Sequence, residues 1–199
     1  QEHQDLFYLS YNPVTQLDNI IDIPSNCLHH TYNSLLICLA ALSMNLHNSE
    51  VICKNSANIV REAQVNNIKP SMIVAVGTVE SRWTPTARSY SNACGVMQIL
   101  PKYSKKFSNK DRNLTCEELK DPETSIEVGA KILSFWYHKY SKRNKTIALC
   151  GYNAGYRCKG ENKNKQGLKY AKAVLKWERK FDRAYRKQKG KYKNKSTFN

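Results

Sequence analysis

The segment from Met72 to Glu80 constrains the fold of this chain more than any other. It reads MIVAVGTVE, an apolar run that ends in one carboxylate. Pro70 stands just ahead of it, and proline suits the first turn of a helix, where its missing N–H has no partner to lose. A helix that is apolar nearly all round has to be buried. We therefore expect a central helix here, enclosed by the rest of the domain.

Glu80 is a candidate acid–base residue because its carboxyl group comes at the end of this apolar helix. The next acidic residue after it is Asp111, so its carboxyl group stands alone in a basic and neutral stretch. Apolar surroundings disfavour the charged form of a carboxyl group and raise its pKa. A carboxylic acid with a raised pKa is the kind of group that catalysis by proton transfer needs.

The remaining apolar residues recur at helical rather than strand spacing. Asp121, followed by proline, is a strong helix start. We predict helices at about residues 31–46, 50–66, 70–79, 121–140, 146–154 and 166–185, with a short one after Pro101. Trp83 and Trp136 are expected in the core, and Tyr103 on the inner side of the short helix. The predicted fold class is mainly α, a compact helical domain with at most a small β element in the loop 84–98.

The chain is long enough for one well-buried domain with a small appendage. We divide it into residues 1–49, an arm and helix of unassigned role, residues 50–185, the main domain, and residues 186–199, a basic tail expected to fray. The apolar run 35–46 is too short and too interrupted to span a bilayer, which needs about 20 residues. The chain starts at Gln1 with polar residues, so we expect no signal peptide there and a leader already removed or the chain trimmed.

The charge of the chain is strongly positive. Its formal net charge is +16 and its pI is near 9.6. Such a charge predicts a polyanionic partner, which is nucleic acid, an anionic membrane surface or an acidic wall polymer. The alternative is a lysine-rich surface that only supports solubility.

The seven cysteines show no CxxC spacing and the histidines show no metal-ligand spacing, so no metal and no cofactor is predicted. Outside the cytosol several disulfides are expected, and the odd count leaves at least one thiol outside them. In a reducing compartment the same residues serve as small buried hydrophobes. The sequence leaves both alternatives open for Cys27, Cys38, Cys53, Cys94, Cys116, Cys150 and Cys158.

Short segments in three places carry a specific combination of residues. They are ESRWTP from Glu80, GVMQI from Gly95 and YNAG from Tyr152, with Tyr170 on the last helix as a weaker fourth element. In this order and spacing they resemble the catalytic domain of the soluble lytic transglycosylases, relatives of goose-type lysozyme, over roughly residues 56–180. The resemblance implies a lysozyme-like helical fold and an enzyme that cleaves peptidoglycan.

The resemblance also implies roles by position. Glu80 matches the family's single catalytic acid, which protonates the glycosidic oxygen between N-acetylmuramic acid and N-acetylglucosamine. It then acts as the base on the muramic 6-hydroxyl, which leaves a 1,6-anhydro end. The other matched positions are implied to contact the sugars or to line the groove: Ser81, Ser89, Gly95, Met97, Gln98, Tyr152, Asn153 and Tyr170. Purely structural roles stay open for four of them, as core residues for Met97 and Tyr170 and as backbone caps for Gln98 and Asn153.

The absence of a second acid near Glu80 bears on the reaction. Glycoside cleavage usually needs two carboxyl groups, except where the substrate assists. Goose-type relatives that hydrolyse typically have an aspartate in the loop after the acid, and this chain has no acid there. This favours a lytic transglycosylase that uses one carboxyl group, helped by the N-acetyl group of the substrate. A hydrolytic goose-type lysozyme, a muramidase, is the alternative if Glu117, Glu118 or Glu123 folds near the groove.

Three cysteines flank the matched segments and depart from the family pattern. Cys94 precedes Gly95, and Cys150 and Cys158 lie on either side of the YNAG segment. Disulfides there would staple the walls of the groove, whereas free thiols would make the activity sensitive to redox state.

The implied place of action is the bacterial cell wall, in the periplasm, outside the cell or on a virion. The expected partners are peptidoglycan glycan strands and anionic envelope polymers. The candidate roles are a phage lysin, a virion enzyme for genome entry, or an enzyme that opens the wall for secretion or conjugation, assembled into a larger machine. Two other classes compete: a basic nucleic-acid-binding protein, which lacks the expected motifs and interleaved aromatics, and an inert glycan-binding module, which has no need of Glu80.

Overall fold

The computed structural model describes residues 25–160 and 163–195. Residues 1–24 of the arm predicted over residues 1–30 lie outside this part, as do the last four residues of the predicted tail; residues 25–30, predicted to be irregular, are helical. The described chain is mainly α, as predicted. Its helices are α1 Ser25–Ser43, α2 Ser49–Lys54, α3 Ser56–Val65, α4 Pro70–Glu80, α5 Cys116–Lys120, α6 Pro122–Ser134, α7 Lys145–Ala154 and α8 Lys165–Lys195, with a 3-10 turn at Pro101–Lys106 and a π-helical segment at Phe135–Tyr140.

Helix α4 is the central helix that its sequence predicts. Its residues from Ser71 to Gly77 are buried, and it packs against α8, α3 and α6. The indole of Trp83 folds back under it, fully buried, and its Nε1 donates a 3.1 Å hydrogen bond to the carbonyl of Val74. A Cβ atom on Gly77 would come within 2.7 Å of this ring, so glycine is the residue that admits it. The prediction that Trp83 is a core residue is confirmed.

Helix α6 begins as predicted. The Asp121 carboxylate accepts a 2.9 Å hydrogen bond from the backbone N–H of Thr124, which satisfies one of the free donors at the helix start. The helix continues into the π-helical segment, where Trp136 is 91% buried and packs against Gly151 of α7. This segment therefore connects the capped helix to α7, which carries the YNAG motif.

Several element boundaries differ from the prediction. The helix predicted over residues 50–66 is broken at Asn55 into α2 and α3, and α5 lies in a stretch where no helix is predicted. Tyr103, expected on an inner side, is 57% exposed. Helix α8 runs to Lys195 and does not end near residue 185.

The extension of α8 has a tertiary cause. The helix packs along α1, α4 and α7; at its predicted end the Tyr185 hydroxyl donates a 2.9 Å hydrogen bond to Oδ1 of Asn33 on α1, and Gln188, beyond that end, is buried. Its local sequence is basic and predicts fraying, but packing supplies the stability that propensity does not.

The β content is limited to bridges in the loop after α4. In the described residues, Cys94 forms isolated antiparallel bridges with Arg88 and with Ile99. This agrees with the prediction of at most a small β element there. Within the same residues, no helix is both long and apolar enough to cross a membrane.

Candidate active site

The carboxyl group of Glu80 stands at the C-terminal end of α4 and faces α8. The hydroxyl of Tyr170 on α8 donates a 2.6 Å hydrogen bond to its Oε1. Burial raises the pKa of Glu80 to about 7, and the hydrogen bond from Tyr170 opposes this rise. Because α4 is apolar, the carboxyl group has lost most of its hydration. Near neutral pH this group holds a proton in part of the molecules and a charge in the rest.

Tyr152 and Tyr170 both lie near the Glu80 carboxyl group. Burial raises the pKa of both Tyr152 and Tyr170 well above the ordinary value, and the charge of Glu80 raises both further. Both hydroxyls therefore stay protonated and act as hydrogen-bond donors. That of Tyr152 donates a 2.9 Å bond to the backbone carbonyl of Met97, which ties α7 to the loop after α4.

The loop after α4 is held by side chains from its own two ends. The Ser81 hydroxyl donates a 2.8 Å hydrogen bond to the carbonyl of Val96. The side-chain amide of Gln98 donates to the carbonyls of Ala87, at 3.1 Å, and Gly95, at 3.0 Å. Gln98 thus satisfies backbone groups, the structural role that its sequence left open.

Gly95 and Met97 lie on the inner side of this loop. Gly95 has a φ of 77°, and a Cβ atom there would sit 1.8 Å from the carbonyl oxygen of Leu119. The side chain of Met97 is fully buried and lies against Gly129 of α6. Both residues therefore fix the conformation of the loop by packing against α5 and α6. The backbone carbonyl of Met97 is the part that contacts Tyr152 of the site.

Ser89 and Asn153, two of the predicted site residues, are exposed at the surface. Ser89 is exposed, and its hydroxyl accepts a 3.0 Å hydrogen bond from the N–H of Ala93 at the tip of the loop. Asn153 is exposed on α7 beside Tyr152. The structure thus links Glu80, Ser81, Gly95, Met97, Gln98, Tyr152 and Tyr170 through hydrogen bonds and packing, and leaves Ser89 and Asn153 open to solvent.

Sequence reasoning missed Ser125. Its hydroxyl, fully buried on α6, accepts a 3.1 Å hydrogen bond from the backbone N–H of Met97. It holds the loop from a position 28 residues further along the chain. No local signal marks it, because the contact arises only from the packing of α6 under the loop.

The cysteine pairing left open by the sequence is resolved in the described chain. Disulfides join Cys94 to Cys116 and Cys150 to Cys158, and a third joins Cys38 to Cys53 on α1 and α2. The first of these ties the loop after α4 to α5. The second closes the turn that follows the YNAG segment.

Glu117, Glu118 and Glu123, the acids that would support hydrolysis, each form an ion pair with a lysine or arginine. Glu118 pairs with Lys110 and Arg112, and these partners hold the pKa of its carboxyl well below its usual range. Glu117 pairs with Lys120, and Glu123 with Arg61. In the described part of the chain, no group of three or more His, Cys, Asp or Glu residues could hold a metal ion.

Comparison with known families identifies the class of protein. Residues 57–175, more than half of the chain, match the family model of the transglycosylase SLT domain. The chain belongs to this family. The match contains every residue of the site described above, from Glu80 to Tyr170.

Curated relatives are lytic transglycosylases of bacteria. The chain is 33% identical over 99 residues to the soluble lytic murein transglycosylase of Salmonella typhimurium, covering 48% of this chain and 15% of that protein. It is 29% identical over 126 residues to the membrane-bound lytic murein transglycosylase E of Buchnera aphidicola, covering 58% of this chain and 57% of that one. The chain thus spans less than two thirds of the length of these relatives.

Solved structures share the fold. An inactive mutant of lytic transglycosylase Slt from Pseudomonas aeruginosa superposes with a TM-score of 0.57 at 22% identity, over 74% of this chain and 30% of that one. The 70 kDa soluble lytic transglycosylase of Escherichia coli gives 0.57 at 23% identity, over 76% and 30%. The predicted lysozyme-like helical fold is confirmed.

Proposed function

We propose that this protein is a peptidoglycan lytic transglycosylase that uses Glu80 as its single acid and base. The observation that carries the proposal is the buried Glu80 carboxyl group with a pKa of about 7, held by the Tyr170 hydroxyl. A group that must first give and then take a proton works best with a pKa near the operating pH. The membership of the SLT domain family supports the same assignment.

The reaction requires two proton transfers at one carboxyl group. Protonated Glu80 gives its proton to the glycosidic oxygen as the bond from this oxygen to the anomeric carbon of N-acetylmuramic acid breaks. The carboxylate then removes the proton of the muramic 6-hydroxyl as its oxygen bonds to the anomeric carbon. The products are a free N-acetylglucosamine 4-hydroxyl and a 1,6-anhydro ring, and Glu80 ends protonated as it began. The substrate's N-acetyl group assists at the anomeric carbon.

The surrounding residues position this acid and the glycan. Tyr170 fixes the orientation of the carboxyl group and stabilises its charged form after the first transfer. Tyr152, Ser81 and Gln98 hold the loop that forms one wall of the groove. Ser89 and Asn153, exposed at the rim, are proposed to contact the sugars.

Product analysis tests the reaction. Purified sacculi digested with the protein should release muropeptides with 1,6-anhydro ends, identified by mass spectrometry. Reducing ends in their place would make the protein a muramidase, the hydrolytic alternative. The Glu80→Gln variant should fold normally and release nothing, whereas Glu117→Gln, at an exposed acid, should keep full activity.

The biological setting follows from the substrate. We propose that the protein acts at the bacterial cell wall, as a phage-type enzyme or as one that opens the wall for secretion or conjugation. Residues 50–185 are proposed as the catalytic domain, with residues 1–49 and 186–199 as appendages. Tight, salt-sensitive DNA binding without release of muropeptides would favour the nucleic-acid-binding alternative.

A further inference from the structure

One face of α8 carries a long row of cations. The helix turns by about 100° per residue, and ten basic side chains then fall within an arc of about 140°. All ten are exposed. We call this face the basic stripe: Lys165, Lys169, Lys172, Lys176, Arg179, Lys180, Arg183, Arg186, Lys187 and Lys191.

The basic stripe lies opposite the packed face of the same helix. The buried residues of α8 include Ala171, Val174 and Phe181, which project about 180° away from the stripe. Because that face packs against α1, α4 and α7, the helix is fixed and the stripe is straight. At 1.5 Å per residue it runs for roughly 39 Å, with about one cation every 4 Å.

No acid neutralises the stripe from its own helix. The two acids of α8, Glu178 and Asp182, lie outside the arc of the stripe. Glu178 is buried and forms an ion pair with Lys145 of α7. The Oδ2 atom of Asp182 lies 3.8 Å from the Nζ atom of Lys69. None of the ten stripe cations forms an ion pair with another residue of the described chain, unlike the paired cations around Glu118. Ten uncompensated like charges on one rigid face repel each other, which is a cost unless an anion binds there.

The stripe lacks the side chains that two common polyanionic partners require. Only Leu168, Ala173 and Gly190 share its arc, and the first two are partly buried. A helix that binds in a membrane interface needs large apolar side chains beside its cations. Binding of single-stranded nucleic acid relies on aromatic side chains for base stacking. No aromatic side chain lies within the arc; Trp177, about 40° outside it, is partly buried and has the Lys180 Nζ 4.9 Å from its ring centroid.

We propose that the basic stripe binds a linear phosphodiester polymer of the bacterial wall. A flexible polymer with one phosphate per repeat can align along a straight face and match many of its cations at once. The phosphate rows of duplex DNA wind around an axis and leave a straight face after a few contacts. The assignment to a wall polymer rests on the proposed function, since a wall enzyme meets such polymers beside its substrate.

The stripe also begins beside the candidate active site. Lys169 precedes Tyr170, whose hydroxyl contacts Glu80. A polymer bound along the stripe therefore runs along the outer face of the helix whose inner face carries Tyr170. Binding there would hold the protein on the wall while the groove engages successive glycan strands.

The test compares two quadruple variants of equal net charge. The stripe variant is Lys172→Gln, Lys176→Gln, Arg179→Gln and Arg183→Gln, all at exposed positions away from the groove. The control variant, Lys54→Gln, Lys106→Gln, Lys139→Gln and Lys142→Gln, removes four exposed cations elsewhere. Binding of a purified glycerol-phosphate wall polymer to each full-length protein is measured by titration at several salt concentrations, with thermal melts to verify folding.

The stripe variant should lose at least about tenfold in affinity at physiological salt, and its slope of log affinity against log salt should become shallower by about 3, as for four lost phosphate contacts. The control variant should change the slope by less than about 1. Equal losses in both variants would overturn the proposal, because net charge alone would then explain binding. So would a stripe variant that keeps polymer affinity but loses affinity for duplex DNA or for anionic vesicles.

Cleavage of phosphate-free sacculi separates this proposal from the enzymatic one. Both quadruple variants should cleave such sacculi at a rate within about twofold of the unmodified protein, because no polymer is present to engage the stripe. If the unmodified protein cleaves no sacculi at all but the binding pattern holds, the proposed function fails and the polymer-binding face stands.

Discussion

The Tyr170 hydroxyl and the Glu80 carboxyl group, 90 residues apart in sequence, are joined by one hydrogen bond of 2.6 Å. This bond crosses from α8 to the end of α4. The relative position of the two helices therefore sets the orientation of the Glu80 carboxyl group. It also sets its pKa, since burial raises that pKa and the bond from Tyr170 lowers it.

Removing this hydroxyl should change the pH profile of the enzyme. In Tyr170→Phe the charged form of Glu80 loses a donor, so its pKa rises. The alkaline limb of kcat/KM should move to higher pH, and kcat/KM at neutral pH should fall by about tenfold, since a hydrogen bond to a charged group contributes about 1.5–3 kcal/mol. The matched control is Tyr185→Phe on the same helix, which removes a hydroxyl bonded to Asn33 and should leave the profile unshifted. An unshifted limb in Tyr170→Phe would contradict the role given to this bond.

The raised pKa of Glu80 should also appear in the stability of the fold. Between the ordinary pKa of 4.5 and the folded value of about 7, the unfolded chain releases the proton while the folded chain keeps it. The contribution of Glu80 to the free energy of unfolding therefore decreases as pH rises through this window and is level above it.

The Glu80→Gln variant lacks this pH dependence. Its free energy of unfolding should match that of the unmodified protein near pH 4 and be higher by about 3 kcal/mol at pH 8, measured by denaturant unfolding at each pH. Glu117→Gln, at an exposed position, should show no such divergence. A constant difference between Glu80→Gln and the unmodified protein across this range would mean that Glu80 keeps an ordinary pKa.

Gly95→Ala should destabilise the fold strongly. The new Cβ would meet the carbonyl oxygen of Leu119 at 1.8 Å, and the φ of 77° is unfavourable for alanine. We expect a loss of at least about 2 kcal/mol, seen as a lower Tm. Gly190→Ala, where nothing lies within 4 Å, should raise stability by about 0.5–1 kcal/mol because alanine favours the helix. Similar effects at both glycines would show that the close approach to Leu119 is not a constraint.

The disulfide between Cys94 and Cys116 should matter for activity as well as stability. The double variant Cys94→Ala and Cys116→Ala frees the loop after α4 from α5 and should lower stability by about 2–4 kcal/mol. Assayed well below its Tm, it should also lose kcat/KM. The control pair, Cys38→Ala and Cys53→Ala, should lower stability and leave kcat/KM unchanged, because it joins α1 to α2 away from the loop. Equal kcat/KM values in the two pairs would contradict a role for the loop disulfide in the site.

The parts of the fold that local chemistry determines were predictable from the sequence. The apolar run of α4, the cap at Asp121 and the burial of Trp83 follow from residue types and their spacing. The length of α8 did not follow, since its basic sequence predicts fraying and tertiary packing is not visible in the local pattern. Ser125 was likewise hidden, because its contact with Met97 depends on how α6 lies under the loop. The break at Asn55 lies within a pattern that reads as one continuous helix.

The loop wall from Cys94 to Ile99 is fastened by Tyr152, Ser125, Ser81 and the disulfide to Cys116. A wall fastened on so many sides has few alternative conformations left to lose when a glycan arrives. Binding to it costs little conformational entropy, so under the proposed function selection between glycans would depend on shape and hydrogen-bond fit in the resting state. In this respect the loop would serve as a rigid template, with the carboxyl group of Glu80 held in one direction beside it.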